Sequence, residues 1–383
     1  MKIPSAFRDK IQELVTTFES NKDYFVSVKY AESQARIDFI DKLFEALGWS
    51  ISLQPGENPH DRDVIVERGQ TIGRPDYNFR VNRQTKFFVE AKAPHVSILR
   101  SDVILQAKKY AWNNTDEIVY FAAVTDFQEF RFYDASRKPD PKHPDSGLVF
   151  SYTYDQYTSA KALSDLWLLS HESVSSGSLN TLVSPSARAA RVKTPLDQQF
   201  LNDLTDWREK LAKSVYKTHP DFSPDDLNSV VQVFLDRLIF IRIAEDRGAF
   251  PVNRLRDIAR TWKDEGKHRP ITADLFPLFR EVNEDLNGEI FKAHKCEEVN
   301  WDSALIAEII EDGLEPYNFA QIGVELLGSI YERYLGKTIR VTATRAVVEQ
   351  KPEVRKAGGV YYTPKYVVDY IVKNAVGQLI AGK

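Results

Sequence analysis

Apolar side chains early in the chain recur every three to four residues, the spacing of helices with one buried face. Residues 5–20 and 31–47 are predicted helices on this pattern. In the second, Ile37, Ile40, Phe44 and Leu47 share a face and Gly48 comes next as a stop. From 63 to 133 the texture changes to short β-rich runs, at Asp63–Glu67, Asp76–Val81, Lys86–Lys92, Ile118–Val124 and Glu129–Tyr133. One helix, at 101–113, separates the third run from the fourth. The turn-rich stretch Lys138–Gly147 reads as a surface loop. A longer break at 172–195 gathers Ser, Gly and Pro around Arg188, Arg191 and Lys193, and a domain boundary is placed there. From 196 to 335 the pattern is almost wholly helical, with Phe234, Leu238, Ile241 and Ile243 in one strongly apolar segment. A last region, 336–357, alternates β-branched residues with Lys337, Arg340, Arg345, Lys351, Arg355 and Lys356. No internal repeat stands out.

Composition narrows the class without naming it. The chain has 383 residues, enough for two or three domains, with 43% apolar and 28% charged residues. No run approaches ~18 consecutive apolar residues, so no membrane span is expected. The charged start lacks the apolar stretch of a secretory signal, and a cytoplasmic address follows by default. Cys296 is the single cysteine, which excludes a disulfide framework and a cysteine-based zinc site. The net charge of −4 counts mildly against a dedicated nucleic-acid module. Phosphate binding needs only a local basic stripe, so the balance does not decide the matter.

Candidate chemistry concentrates in Arg74-Pro75-Asp76-Tyr77 and Phe87-Phe88-Val89-Glu90-Ala91-Lys92. Both read as strands joined by the polar turn Asn82–Thr85, hence as a hairpin. Glu90 and Lys92 are two apart and share a face. Asp76 joins them only if the register sets it against an even-numbered residue such as Glu90 or Lys92, which an odd loop of three residues would achieve. Phosphodiester hydrolysis needs a hard cation on oxygen ligands, and Mg²⁺ is usually held by one or two carboxylates plus waters. Such a cation polarises the phosphate and acidifies a bound water, while a nearby ammonium orients that water. The plainer reading is a solvent-facing Asp and a Glu–Lys pair on an edge strand. Against it, Glu90 and Lys92 sit in a run otherwise apolar on both faces, where charge without a role is expensive.

Pro75-Asp76 with Glu90-Ala91-Lys92 resembles the PD-(D/E)XK nuclease motif. Glu32, in Ala31-Glu32-Ser33-Gln34-Ala35-Arg36, is similar to the acid on the first core helix of that superfamily, although an acid near a helix start is favourable anyway. Gln106 and Tyr110, four apart on one helical face, match its QxxxY motif. Val124–Phe130 looks like the next strand-turn-strand of the same superfamily. The resemblance implies that Asp76, Glu90 and the Ala91 carbonyl hold Mg²⁺ or Mn²⁺, with Glu32 as a further candidate ligand. It implies that Lys92 acts on the water, and that Gln106 and Tyr110 support the site or the DNA backbone.

A second signal lies at 358–372. Thr363 is a good N-cap, Pro364 a good first helical residue, and Val367, Val368, Ile371 and Val372 give the helix an apolar side. The string Gly358-Gly359-Val360-Tyr361-Tyr362-Thr363-Pro364 closely resembles the motif that opens N6-adenine DNA methyltransferase domains. There, Tyr361, Tyr362, Thr363 and Pro364 would help to form an S-adenosylmethionine pocket. Leu326–Gly336 and Leu238–Arg247 resemble segments of single-chain restriction–modification enzymes. The chain closes at Lys383 without a glycine-rich cofactor loop or an Asn-Pro-Pro-Tyr motif. It therefore reads as an expressed fragment or a truncated product, with methylation expected only of a full-length protein. The apolar side of 364–380, including Val376, should be covered by connector helices or a second copy of the chain, or the segment should be disordered.

These resemblances are to type IIG restriction–modification enzymes, including the IIL subgroup. The fold expected is an α/β PD-(D/E)XK domain, a mixed sheet flanked by helices, over 1–180. After it come a linker at 181–195, an all-α connector at 196–345 and the start of a methyltransferase domain at 346–383. The implied partners are double-stranded DNA and missing C-terminal methyltransferase and target-recognition regions. The alternatives are a DNA-binding scaffold, or a methyltransferase subunit with a vestigial nuclease fold.

Overall fold

The computed structural model describes residues 3–53, 56, 58–67, 74–115, 117–183, 195–286, 289–341, 346–350, 367 and 370–375. The chain divides into two compact units, Met1–Lys193 with Pro316–Gln321 and Thr194–Glu315 with Ile322–Lys383. No described helix is long and apolar enough to cross a membrane.

The first unit opens with α1 (Ser5–Ser20), which buries Phe7, Ile11, Leu14 and Phe18 along one face. Helix α2 begins at Glu32–Ala35, passes through a π-helical turn at Arg36–Ile40 and continues as Asp41–Ala46. The π turn carries one extra residue, which rotates the first part of the helix out of phase with the second. Phe39, Ile40, Phe44 and Leu47 are therefore buried while Ile37, expected on the apolar face, is 58% exposed.

Among the described residues, six strands form one mixed sheet in sequence order: β1 (Val64–Val66), β2 (Tyr77–Val81), β3 (Gln84–Ala91), β4 (Phe121–Thr125), β5 (Glu129–Asp134) and β6 (Leu148–Thr153). All neighbours are antiparallel except β3 and β4, which are parallel and joined through helix α3 (Ser101–Trp112). Strand β6 is additional to the runs expected from the sequence. Among its residues only Phe150 is buried, which leaves its alternation weak.

Strand β3 divides its side chains between two apolar layers. Phe87, Val89 and Ala91 pack with Phe39 and Phe44 of α2, whereas Phe88 packs with Val103, Ile104, Ala107 and Tyr110 of α3. Pro316–Gln321 also belongs to this unit: the Asn113 amide donates to the Pro316 carbonyl at 2.9 Å, and Trp112 meets Tyr317 edge-on. This mixed sheet with covering helices is compatible with an α/β nuclease fold.

The second unit is built on α4 (Leu196–Thr218), α5 (Pro224–Asp246), α6 (Arg254–Asp264), α7 (Thr272–Leu286) and α8 (Val324–Leu335). A hairpin of β7 (Lys337–Val341) and β8 (Ala346–Gln350) completes it. Buried Arg208 on α4 donates to the carbonyls of Tyr334 and Lys337, where the last carbonyls of α8 lack helical partners. Of the predicted helix at 364–380, only Val367 and 370–375 are described, as helical, with Ile371 and Val372 half exposed.

Two glycines of the first unit test how tightly its turns are fixed. Gly48 (φ 84°) ends the second predicted helix, and a Cβ there would approach nothing nearer than the His171 Cβ at 3.8 Å. Gly147 (φ 81°) precedes β6, and a Cβ there would lie 2.5 Å from the Asp134 carbonyl oxygen. Gly48→Ala should cost about 1–2 kcal/mol, the ordinary penalty of left-handed backbone. Gly147→Ala should cost more, because main chain must also move. Urea unfolding of the two variants gives the ranking, and equal losses would contradict the close approach.

Candidate active site

The hairpin of β2 and β3 brings the sequence-predicted residues together. Its turn is the two-residue Asn82–Arg83, with φ of 52° and 66°, the left-handed pair that matches strand twist in tight hairpins. A two-residue turn alone would place Asp76 against an odd-numbered residue. A bulge corrects this: Arg80 pairs with Thr85 but Phe79 with Phe87, so Lys86 is extra on β3. Tyr77 then faces Val89, and Asp76 falls level with Glu90. The expected parity is achieved, by a bulge where the sequence suggested a three-residue loop. The rings of Phe79 and Phe87 stack 4.5 Å apart just beyond it.

Asp76 sits where the β2–β3 ladder ends. One carboxylate oxygen accepts the Ala91 N–H at 2.8 Å and the other accepts from the Arg36 guanidinium at 3.0 Å. Glu90 is 3% exposed. Its Oε1 accepts from the Lys92 ammonium at 2.5 Å, as their shared face requires, while its Oε2 is buried with no hydrogen-bond partner. Burial pushes the Glu90 carboxyl up from its ordinary range; Lys92 opposes the shift, and Asp76 and Glu32 add to it. Burial would by itself lower Lys92, but the attraction of Glu90, Glu32 and Asp76 leaves it raised and protonated. Glu32, half-buried on α2, is likewise raised by burial, with Lys92 and Arg36 acting against Asp76.

On α3, the Gln106 amide donates to the Tyr110 hydroxyl at 3.0 Å, and Tyr110 meets Phe88 edge-on. Phe88, Glu90 and Lys92 alternate onto one face of β3, so the Gln106–Tyr110 pair covers the layer from which Glu90 projects. Tyr361, Tyr362, Thr363 and Pro364 lie outside the described residues.

Two residues given no role by the sequence belong to this neighbourhood. Arg36 bonds Asp76, and it stands four residues after Glu32, a helical spacing that marked the pair as neighbours. Tyr77 is fully buried, and its hydroxyl accepts from Arg36 and donates to Asp41 at 2.7 Å. Nothing in the local sequence distinguishes it from an ordinary core tyrosine.

No group of three or more His, Cys, Asp or Glu side chains among the described residues is arranged to hold a metal ion. Glu32 therefore does not close a three-carboxylate cluster with Asp76 and Glu90. What the hairpin offers is two carboxylates beside the main chain of Ala91. That donor set suits a hard cation which keeps several waters, and the Glu90 Oε2 is a buried carboxyl oxygen with no hydrogen-bond partner among the described residues. Beyond the carboxyl ends of β3 and β4 lies an open cleft of about 550 Å³, lined by Lys22, Pro94, His95, Asp126, Gln128 and Tyr154 among others. None of the predicted site residues lines it.

Comparison with known proteins gives two relatives. The chain is 28% identical over 98% of its length to the type II restriction enzyme and methyltransferase RM.Eco57I of Escherichia coli, and the match covers 38% of that protein. It is 29% identical over 45% of its length to RM.MjaORFECS2P of Methanocaldococcus jannaschii, provisionally named for the same two activities, covering 16% of that protein. The chain thus spans well under half the length of either relative. No family model and no solved structure matches. These similarities support a restriction–modification enzyme, of which this chain represents a portion.

Asp126, at the end of β4, provides a pH test of this edge of the sheet. Burial pushes its carboxyl up to about 7, against hydrogen bonds from the Glu129 N–H and the Gln128 amide. A carboxyl raised on folding binds more protons in the native state. Its stability contribution is greatest below the unfolded value of ~4 and is lost as pH rises toward 7. The melting temperature of Asp126→Asn relative to the wild type should therefore be more favourable at pH 8 than at pH 5. A difference that is flat with pH, or that shrinks as pH rises, would contradict a raised Asp126.

Proposed function

We propose that the first unit is a PD-(D/E)XK-type, divalent-cation-dependent DNA endonuclease within a type IIG-like restriction–modification enzyme. The second unit would be its helical connector, and 346–383 the opening of an N6-adenine methyltransferase domain. The observation that carries the proposal is the level placement of Asp76 and Glu90 on the hairpin, with Lys92 on one Glu90 oxygen and the other left without a partner. The substrate would be a phosphodiester bond of double-stranded DNA.

Asp76, Glu90 Oε2 and the Ala91 carbonyl would hold Mg²⁺ or Mn²⁺, and Glu32 would act through its waters. When bound, such a cation neutralises phosphate charge and lowers the pKa of a water. Lys92 bonds the Glu90 carboxylate through Oε1, and its remaining protons would orient an attacking water or a phosphate oxygen. Phe88, on the same face of β3, and Tyr110 edge-on to it help to keep water from Glu90, which is 3% exposed. Gln106 and Tyr110 would brace this face or meet the DNA backbone. Tyr361–Pro364 would contribute to an S-adenosylmethionine pocket in the whole enzyme, a reading that rests on the motif alone.

A scaffold that keeps the fold without the activity is the second reading. It is favoured by the engagement of both Asp76 oxygens with Arg36 and Ala91. Mutation separates the two. In the enzyme that carries this region, Asp76→Ala, Glu90→Ala and Lys92→Ala should each abolish DNA cleavage and leave adenine methylation largely intact. Lys92→Ala removes no oxygen ligand, so Mn²⁺ binding should survive it. Undiminished cleavage by any of the three sinks the assignment.

Duplex binding by these 383 residues should be weak and without sequence preference, given a net charge of −4. It should draw on local cations such as Lys337 and Arg340 and fall steeply between about 50 and 200 mM salt. Filter binding or fluorescence anisotropy reads this directly, and tight, sequence-selective binding would show that recognition lies within this chain.

A further inference from the structure

We propose that Arg36 is a positioning residue for the Asp76 carboxylate, holding it at the end of the hairpin so that Asp76 and Glu90 present their oxygens together. The inference rests on the nuclease reading and assigns to α2 the support of one of its two carboxylates.

Among the described residues, the guanidinium bonds Asp76, its neighbour Tyr77 and the Glu67 carbonyl opposite. Its Nη1 donates to Asp76 Oδ1 at 3.0 Å. Its Nη2 donates to the Glu67 carbonyl at 2.9 Å and to the Asp76 carbonyl at 3.3 Å. These two carbonyls flank the point where the Glu67 N–H pairs with the Asp76 carbonyl, which is the last rung between β1 and β2. Its Nε donates to the Tyr77 hydroxyl at 3.1 Å, and the guanidinium also lies over the Tyr77 ring. Tyr77 is anchored in turn by donation to Asp41, further along α2 from Arg36. The main chain and the side chain of Asp76 are thus gripped by one planar cation, itself held at both ends by α2 and β2.

This is more than charge neutralisation. A lysine could supply the charge but not the fork of donors that ties the carboxylate to its own backbone. The Ala91 N–H completes the hold from β3, so Asp76 is fixed from two sides before any cation arrives. Supporting bonds of this kind typically change metal affinity or activity by about 10–100-fold when removed.

The test is Mn²⁺ binding by isothermal titration to the 383-residue chain, alongside the Mn²⁺ dependence of cleavage in the enzyme that carries it. Arg36→Met should bind Mn²⁺ roughly 10–100-fold more weakly, and its cleavage should recover in part at high Mn²⁺. Arg36→Lys should remain impaired. Tyr77→Phe, which leaves the bonds to Asp76 in place but frees the Nε end, should fall between Arg36→Met and the wild type. Wild-type Mn²⁺ affinity in a folded Arg36→Met overturns the proposal. If Arg36→Met does not fold, wild-type affinity in Tyr77→Phe overturns it instead. Full rescue by Arg36→Lys reduces the role to charge and also overturns it. A wild-type chain that binds no Mn²⁺, with Asp76→Ala indistinguishable from it, removes the nuclease reading itself.

Discussion

Acidic groups brought together in the interior of a sheet repel one another and are poorly solvated, and the first unit is arranged around that difficulty. Asp76 and Glu90 meet Arg36 and Lys92, and the charges of Glu32 and Asp41 are felt at the same groups. Lys92 answers one oxygen of Glu90, and Arg36 with the Ala91 N–H answers both oxygens of Asp76. One buried oxygen of Glu90 is left over. Burial and the neighbouring acids raise the Glu90 carboxyl, so the cost of this arrangement falls chiefly on that one side chain. A chain that only needed stability would place an apolar residue at position 90, because well-packed apolar replacements of buried ion pairs are often neutral or stabilising.

The sheet supplies the geometry for this arrangement through parity. Side chains on a strand alternate, so a slip of one residue would carry Glu90 and Lys92 into the layer of Phe39 and Phe44 and turn Val89 toward Asp76. The extra residue Lys86 prevents that slip, and the stacked Phe79 and Phe87 lock the register beside it. Two apolar layers of different composition, one from α1 and α2 and one from α3, then make each orientation of β3 distinguishable in energy.

Much of this was legible in the sequence because it depends on period and type. The alternation in Phe87–Lys92 placed Glu90 and Lys92 on one face, and the four-residue spacing of Gln106 and Tyr110 placed both on one side of a helix. The illegible remainder depends on contacts distant in the chain. A three-residue loop and a two-residue turn with a bulge give the same parity, so the position of Asp76 could be inferred while its cause could not. The exposure of Ile37 follows from a π turn that no residue in Arg36–Ile40 announces. Strand β6 lies at the edge with one buried side chain, too little alternation to register. Arg36 shows its role only when β1, β2 and α2 are seen together.

The π turn ties the length of α2 to its chemistry. Each residue of an ordinary helix advances about 100° around the axis, and the turn at Arg36–Ile40 accommodates one residue more than a regular helix would. Loss of a single codon from that turn would restore a regular helix, keep every buried side chain beyond Ile40 in place, and swing Arg36 about 100° away from β2. The helix would still fold, pack and cover the sheet. Insertions and deletions here are therefore a route by which drift could release Asp76 from Arg36 while α2 is kept, and residue count within this turn carries information that residue identity does not.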